Sequence, residues 1–171
     1  MLAWGKRVSK PFRDRVLTMA QTLAVNPDFL MACMAFETGR SFSPAVRNAA
    51  GSGAVGLIQF MPATAQALGT TTALLAAMSA VKQLDYVERY FQPRAGKLKT
   101  LEDVYMAILW PAAIGKADDF VLFDRADPTY PKRYVQNAGL DFDKNGKITK
   151  REAAAAVRRL LDEGLRPVHL A

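Results

Sequence analysis

Apolar residues recur along most of this chain at the three- and four-residue spacing of a helix. Phe12, Val16, Met19, Ala20 and Leu23 form one such stripe and predict a helix over about Pro11 to Ala24. The next helix is marked at both ends. Asn26, Pro27 and Asp28 supply a side-chain cap, a proline at the first helical position and an acid in the first turn, and Gly39 supplies the stop. Pro62 opens a short helix ending near Gly69. Ser79 caps a longer one through Tyr86, Val87, Tyr90 and Phe91, closed by Pro93. Thr100 and Asp103 resemble a capping box that starts a helix with Val104, Ile108 and Leu109 inward and Pro111 at its end. Between Ser41 and Phe60 the pattern changes to Ser, Pro, Asn and Gly, predicting loop and a small hairpin. Asp118 to Pro131 is aromatic and proline-containing without a period, and reads as a connector packed on the domain. From about Tyr134 a charged loop and an alanine-rich helix mark a small C-terminal unit. The fold class is mainly α.

One polar residue breaks the apolar face of the second helix. Leu30, Cys33 and Met34 lie seven, four and three residues before Glu37, so its carboxylate shares their face. Burial disfavours the charged form, and the negative end of the helix dipole disfavours it again. A carboxyl kept protonated near neutral pH can donate a proton to a leaving oxygen. The alternative is an exposed glutamate fraying out of the last turn.

Composition narrows the chemistry. The 171 residues, half of them apolar, suit one domain with a small appendage. No run of about 18 apolar residues is present, so no transmembrane segment is expected. The N-terminal MLAWGKRVSKPFRDRV is charged throughout and lacks the apolar region of a secretory signal, which predicts synthesis in the cytoplasm and another export route. Cys33 is the single cysteine and reads as core; His169 is the single histidine. That argues against Ser-His-Asp, Cys-His and multi-histidine zinc chemistry together. A formal charge of +7 suits an anionic partner such as nucleic acid, a membrane surface or an acidic wall polymer. The basic residues are scattered and not interleaved with aromatics, so no specific nucleic-acid partner is expected. GSGAVG, Gly51 to Gly56, matches GxGxxG, but no β-branched strand leads into it. These glycines read as a tight loop that lets backbone approach a ligand or a neighbouring helix.

A second motif is more specific. DFDKNGKITKRE, Asp141 to Glu152, meets every demand of the calcium loop D-x-[DN]-x-[DN]-G-x5-E. Asp141, Asp143 and Asn145 supply oxygens at positions 1, 3 and 5, and Gly146 makes the turn. The Lys147 carbonyl is position 7, Thr149 can hold a water at position 9, and Glu152 closes the site. Ile148 would pin the loop to the domain. The resemblance to EF-hands covers this loop and its outgoing helix, residues 153 to 163, without a second copy, which points to a single structural Ca2+ rather than a sensor. The alternatives are a degenerate loop held by its own side-chain hydrogen bonds and, for the helix with Arg158 and Arg159, a cationic membrane-disturbing element.

Glu37 and the loop after it form a paired pattern. The order AFETG (Ala35 to Gly39), Ser43-Pro44, a glycine turn and GLIQFMPATAQALG (Gly56 to Gly69) resembles the soluble lytic transglycosylase family, including phage-borne members, and more distantly goose-type lysozyme. The close match covers about Asn26 to Gly69. It implies an α+β, lysozyme-like catalytic domain over 1–132, followed by the calcium loop and helix over 133–171. It also implies Glu37 as acid/base with Thr38 beside it, and Gln59 and Met61 lining a saccharide groove, with Asn48 near the family's small polar groove residue. Where family members carry A-Y-N-A-G, this chain has ILWPAAIG (Ile108 to Gly115), so Tyr105 or Trp110 would take over the aromatic contact.

Glycoside hydrolysis commonly uses two carboxylates, and none accompanies Glu37 near the motif. The resemblance implies that one glutamate cleaves the MurNAc–GlcNAc backbone of peptidoglycan and yields a 1,6-anhydromuramoyl end. A hydrolytic muramidase would need a second acid, with Asp85 or Asp103 the candidates. A non-catalytic wall-binding or virion protein that keeps the groove is the alternative from another class, and a calcium-regulated interaction protein is third. A monomeric phage or prophage lysin acting on wall peptidoglycan, carried on a virion or released late through a holin, is expected.

Overall fold

The computed structural model describes residues 1–171. Eight α-helices enclose one core, and a two-stranded sheet lies at its C-terminal side. Helix α1 (Lys10–Leu23) buries the five stripe residues, and Ser9 caps it by accepting a hydrogen bond from the Phe12 N–H. Helix α2 (Pro27–Glu37) starts where Asn26 accepts from the Asp28 N–H and ends at Glu37. Its middle is buried on every side, from Leu30 through Ala35, because α1 covers one flank while α6 (Leu101–Leu109) and α8 (Lys150–Gly164) cover others. An all-round apolar helix belongs at a core's centre.

Helix α3 (Pro62–Ala67) follows the motif loop, and α4 (Thr72–Ala77), which the sequence pattern did not single out, leads into α5 (Ala80–Phe91). Ser79 and Thr100 cap α5 and α6 as expected. Asp103 completes only half of the anticipated box, since its side chain accepts from the Lys99 N–H rather than from Thr100. The 41–60 segment contains two isolated antiparallel bridges, Arg47 with Val55 and Val55 with Phe60, and no continuous hairpin.

The sheet forms elsewhere. β1 (Val121–Asp124) falls inside the expected connector and pairs antiparallel with β2 (Lys147–Thr149) of the calcium-loop motif, with Phe123 opposite Ile148. Neither strand carries enough alternating residues to signal itself, and each is extended because the other is there. Helix α7 (Pro131–Asn137) enters the loop.

The boundary drawn at 132/133 does not interrupt the core. One cluster of 40 buried residues includes Ile148, Ala153, Ala154, Val157, Leu160 and Leu161 together with Leu30, Met34 and Val104. A buried ion pair reinforces the junction: Lys150 Nζ lies 2.6 Å from Asp103 Oδ1 and donates also to the Lys116 carbonyl at 2.8 Å. The charged N-terminal stretch also contributes core, since Leu2, Ala3 and Trp4 are buried and the Trp4 indole donates to the Leu160 carbonyl at 2.9 Å. No helix is long and apolar enough to cross a membrane.

Candidate active site

Glu37 is half-buried at the last helical position of α2, followed by Gly39 in the left-handed region at φ +56°. No hydrogen bond or cation engages its carboxylate, and desolvation alone pushes its pKa up from 4.5 to about 7. Of the two readings open for this residue, the buried acid is the one observed. The absence of a partner decides the direction, because a bound cation or N–H donor would favour the charged form and pull the value down.

The surroundings are aromatic and apolar. The Phe36 ring meets Tyr105 edge-on, with centroids 5.5 Å apart. Cys33 is a buried thiol whose pKa is raised first by burial and then by the Glu37 and Glu102 charges. Tyr105 on α6 is buried, and its phenol is pushed up by burial and then by Glu37. Its hydroxyl has no partner within the chain, which leaves a neutral donor within electrostatic range of the acid. Trp110 is the C-cap of α6, packs edge-on against Phe123 at 5.3 Å and carries the Arg133 guanidinium over its ring at 5.0 Å.

The Gly56–Met61 string is held by a residue that motif reading missed. Gln83 on α5 is fully buried; its Oε1 accepts from the Leu57 N–H at 2.7 Å, and its Nε2 donates to the carbonyls of Pro44 and Leu75. Gly56, at φ +85°, lies so close that a Cβ would collide with the Gln83 amide. The glycine turn thus serves close approach to a neighbouring helix. Tyr90 was also missed. Its hydroxyl donates to the Ala107 carbonyl at 2.6 Å, its ring meets Phe60 of the motif edge-on, and burial followed by the Glu37 charge raises its pKa. The available signal was a polar residue in an apolar stripe, since Gln83, Val87 and Tyr90 recur at helical spacing.

The other expected groove residues divide. Met61 caps α3 with 47% of its surface exposed, available to a ligand. Gln59 adopts φ +53° and donates its amide to the Val46 and Gly56 carbonyls at 3.2 and 3.1 Å, so its N–H face holds the loop and its oxygen remains free. Thr38 does not face a groove. It is buried, and its hydroxyl donates to the Met34 carbonyl at 2.7 Å and accepts from the Phe42 N–H at 3.0 Å, sealing the end of α2. Asn48 is exposed, and its side-chain oxygen accepts from the Ala50 N–H at 2.7 Å, making a local turn.

Neither proposed second acid is free. Asp85 accepts from Lys82 at 2.8 Å and from Arg15 at 3.1 Å, with Lys82 foremost in holding its pKa low. Burial pushes Asp103 up, but Lys150 and the Gly115 and Lys99 N–H groups outweigh it and leave the carboxyl below its ordinary value.

At the other end of α8, carboxylate oxygens of Asp141, Asp143 and Glu152 lie within 4.8 Å of one another. Asp141 accepts from the Tyr134 hydroxyl at 2.6 Å and the Gly146 N–H at 2.9 Å, and the Asn145 N–H donates to both Asp141 and Asp143. Asn145 Oδ1 accepts from the Lys147 N–H. Thr149 and Glu152 form a complete capping box on α8, so Glu152 Oε2 is engaged by Thr149 while Oε1 is free. The nearest lysine on α8, Lys150, points away into its pair with Asp103. Hard carboxylate and carbonyl oxygens suit Ca2+, and the Arg125 guanidinium packs against Gly146 of the same loop.

A mainly helical domain carries an unpaired, desolvated glutamate at a helix end and, joined to it through Tyr90, the Gly56–Met61 turn. The family model described as Transglycosylase SLT domain matches residues 16–105, which run from within α1 to Tyr105 and include Glu37 and the whole motif loop. The chain belongs to this family, and it is a lytic transglycosylase, an enzyme whose substrate is peptidoglycan. No curated protein matches it.

Proposed function

We propose that this enzyme cleaves the MurNAc–GlcNAc β-1,4 bond with Glu37 as its only acid/base and leaves a 1,6-anhydromuramoyl end. The observation that carries the reading is the Glu37 carboxyl itself, desolvated to a pKa of about 7 with no partner, while Asp85 and Asp103 are tied into ion pairs. Protonated Glu37 gives its proton to the glycosidic oxygen as the C1–O bond breaks. The resulting carboxylate then takes the proton of the same muramoyl ring's 6-hydroxyl, and O6 closes on C1. Glu37 ends protonated, no water is consumed, and no second carboxylate is required, in contrast to a hydrolase. The Tyr105 hydroxyl, without a partner in the chain, would donate to the carboxylate formed midway and lower the energy of that charge. Met61 and the free Gln59 oxygen contact the glycan.

Mass spectrometry of muropeptides after digestion tests this. Products lighter by one water than their hydrolysed counterparts are expected; reducing-end products would instead indicate a muramidase. Retention of lysis by Glu37→Gln would point to a wall-binding protein whose activity comes from elsewhere.

The Asp141–Glu152 loop supports a single structural Ca2+, held by Asp141, Asp143, Asn145, the Lys147 carbonyl and Glu152, with Thr149 near the water position. Bound there it would neutralise three carboxylates at the head of α8. The charge of +7 suits a phage or prophage lysin drawn to an acidic wall. Clearing of permeabilised cells by the added protein, lost as salt rises, is the expected behaviour.

A further inference from the structure

A groove of about 500 Å³ runs between the end of α2 and the outer face of α8, lined by Phe36, Arg40, Arg159, Leu160, Glu163 and Arg166, with Asp162 at its edge. Its α2 side is formed by Phe36, the residue before Glu37, and Arg40, three residues after it, while Glu37 itself lies outside the lining. Its charges are not equivalent. Arg40 is locked to Glu163 by two parallel contacts, Nε to Oε1 at 3.1 Å and Nη2 to Oε2 at 2.7 Å, and lies over the Trp4 ring at 6.0 Å. Arg159 and Arg166 are exposed and make no ion pair; Arg159 is steadied over Phe142 at 5.7 Å. Asp162 is exposed and unpaired. The groove therefore offers two uncommitted guanidiniums and one uncommitted carboxylate on an apolar floor of Phe36, Ala156 and Leu160. Arg159 and Arg166 lie beyond the family segment of 16–105, so this surface belongs to the α8 extension and not to the shared catalytic fold.

From the reading of Glu37 as the acid that cleaves at the muramoyl C1, we infer that this groove binds the stem peptide of the muramoyl residue being cleaved, with Arg159 and Arg166 taking its free carboxylates and Asp162 its side-chain amine. The chemistry matches in three respects. The stem is attached through a lactyl ether to the same sugar whose C1 reacts, so it must leave the glycan within one sugar of Glu37. A stem ending in a diamino acid carries more carboxylates than amines, as the groove carries more cations than anions. Guanidinium forks also suit carboxylates geometrically. The α8 extension would thereby bias the enzyme toward stem-bearing glycan over stripped strands.

The test compares two substrates from one sacculus preparation, soluble glycan strands with stems and the same strands after amidase removal of the stems, cleaved by the full chain and by the Arg159→Ala/Arg166→Ala variant. Both arginines are exposed, so the variant should melt with the parent. The parent should show a kcat/KM on stem-bearing strands about three- to tenfold above that on stripped strands, the loss expected for two exposed charge contacts. The variant should remove that difference while leaving stripped-strand cleavage unchanged. Equal parental rates on both substrates, or an equal loss by the variant on both, overturns the subsite and leaves the reading of Glu37 standing. Failure of the parent to cleave either substrate overturns the catalytic reading and the subsite with it.

Discussion

A lone carboxylate and a cluster of three, on either side of α8, are built by opposite rules. Near its C-terminal end, Glu37 is left without donor or cation, and burial raises its pKa to about 7. At its N-terminal end, Asp141 is supplied with Tyr134, Gly146 and Asn145, and the Tyr134 hydrogen bond leads in holding its pKa below the ordinary range. The difference is one of hydrogen-bond supply. A carboxylate with partners stays charged and binds cations; one denied them keeps its proton and can give it away. The same helix serves both, with Glu152 completing the capping box at one end and Leu160 to Arg166 bordering Phe36 and Arg40, the neighbours of the acid in sequence, at the other.

Removing the withheld charge should produce the largest effect. Glu37→Gln is expected to lower cleavage about 10²- to 10⁴-fold, measured as anhydro-muropeptide release. It should also stabilise the fold at neutral pH. The folded carboxyl holds its proton up to about pH 7, whereas the unfolded one releases it near 4.5, so between those values the native state binds more protons. Stability is therefore fullest below about pH 4.5 and declines as pH rises to about 7. After discounting for partial exposure, the ionised form costs about 2 kcal/mol, or roughly 4–8 °C in Tm at pH 7.5, which the glutamine variant should regain and which should vanish at pH 4. An unchanged Tm would mean that Glu37 is solvated. In the parent, kcat/KM should fall as pH rises past about 7, because the acid must be protonated.

The contrast depends on α8 being fastened to the catalytic core rather than appended to it. Lys150→Ala strands Asp103 in the interior and should destabilise the whole domain by about 3–5 kcal/mol in urea melts, whereas Lys150→Met with Asp103→Leu should recover most of the loss. A single cooperative transition in both is expected. A separate transition for 133–171 would restore two independent units.

Calcium tests the supplied carboxylates. At a free concentration a hundredfold above its dissociation constant, Ca2+ should add about 2.7 kcal/mol to stability, and EDTA should remove it. Asp141→Ala should abolish the shift without altering the pH profile assigned to Glu37. A loop that satisfies itself internally would show no calcium response. The smallest effect is expected from Tyr105→Phe, about tenfold in kcat with KM nearly unchanged, since only the hydroxyl near the acid is lost.

The helices were legible because capping is local chemistry. Asn26, Ser79 and Thr100 each accept the backbone N–H that their position in the sequence assigns them. The sheet was not, because Val121–Asp124 is extended only by virtue of Ile148 and its neighbours, more than twenty residues away. The candidate site divides along the same line. Glu37 announced itself as an acid on an apolar face, but Thr38 and Asn48, adjacent to or aligned with groove positions, serve the backbone instead. Gln83 and Tyr90 look like ordinary positions of an amphipathic helix until the motif loop is laid against them.

By itself the sequence determined where the helices begin and end, which carboxylate lies at an apolar helix end, and which twelve-residue segment carries oxygens at calcium-loop spacing, all of which follow from interactions among near neighbours. Only the tertiary structure decided that Glu37 has no partner, that Asp85 and Asp103 are engaged, that Tyr105 lies within electrostatic range of the acid, and that α8 belongs to the core. Whether a charge is supplied or starved depends on what the rest of the chain brings to it, and spacing along one segment carries no record of that.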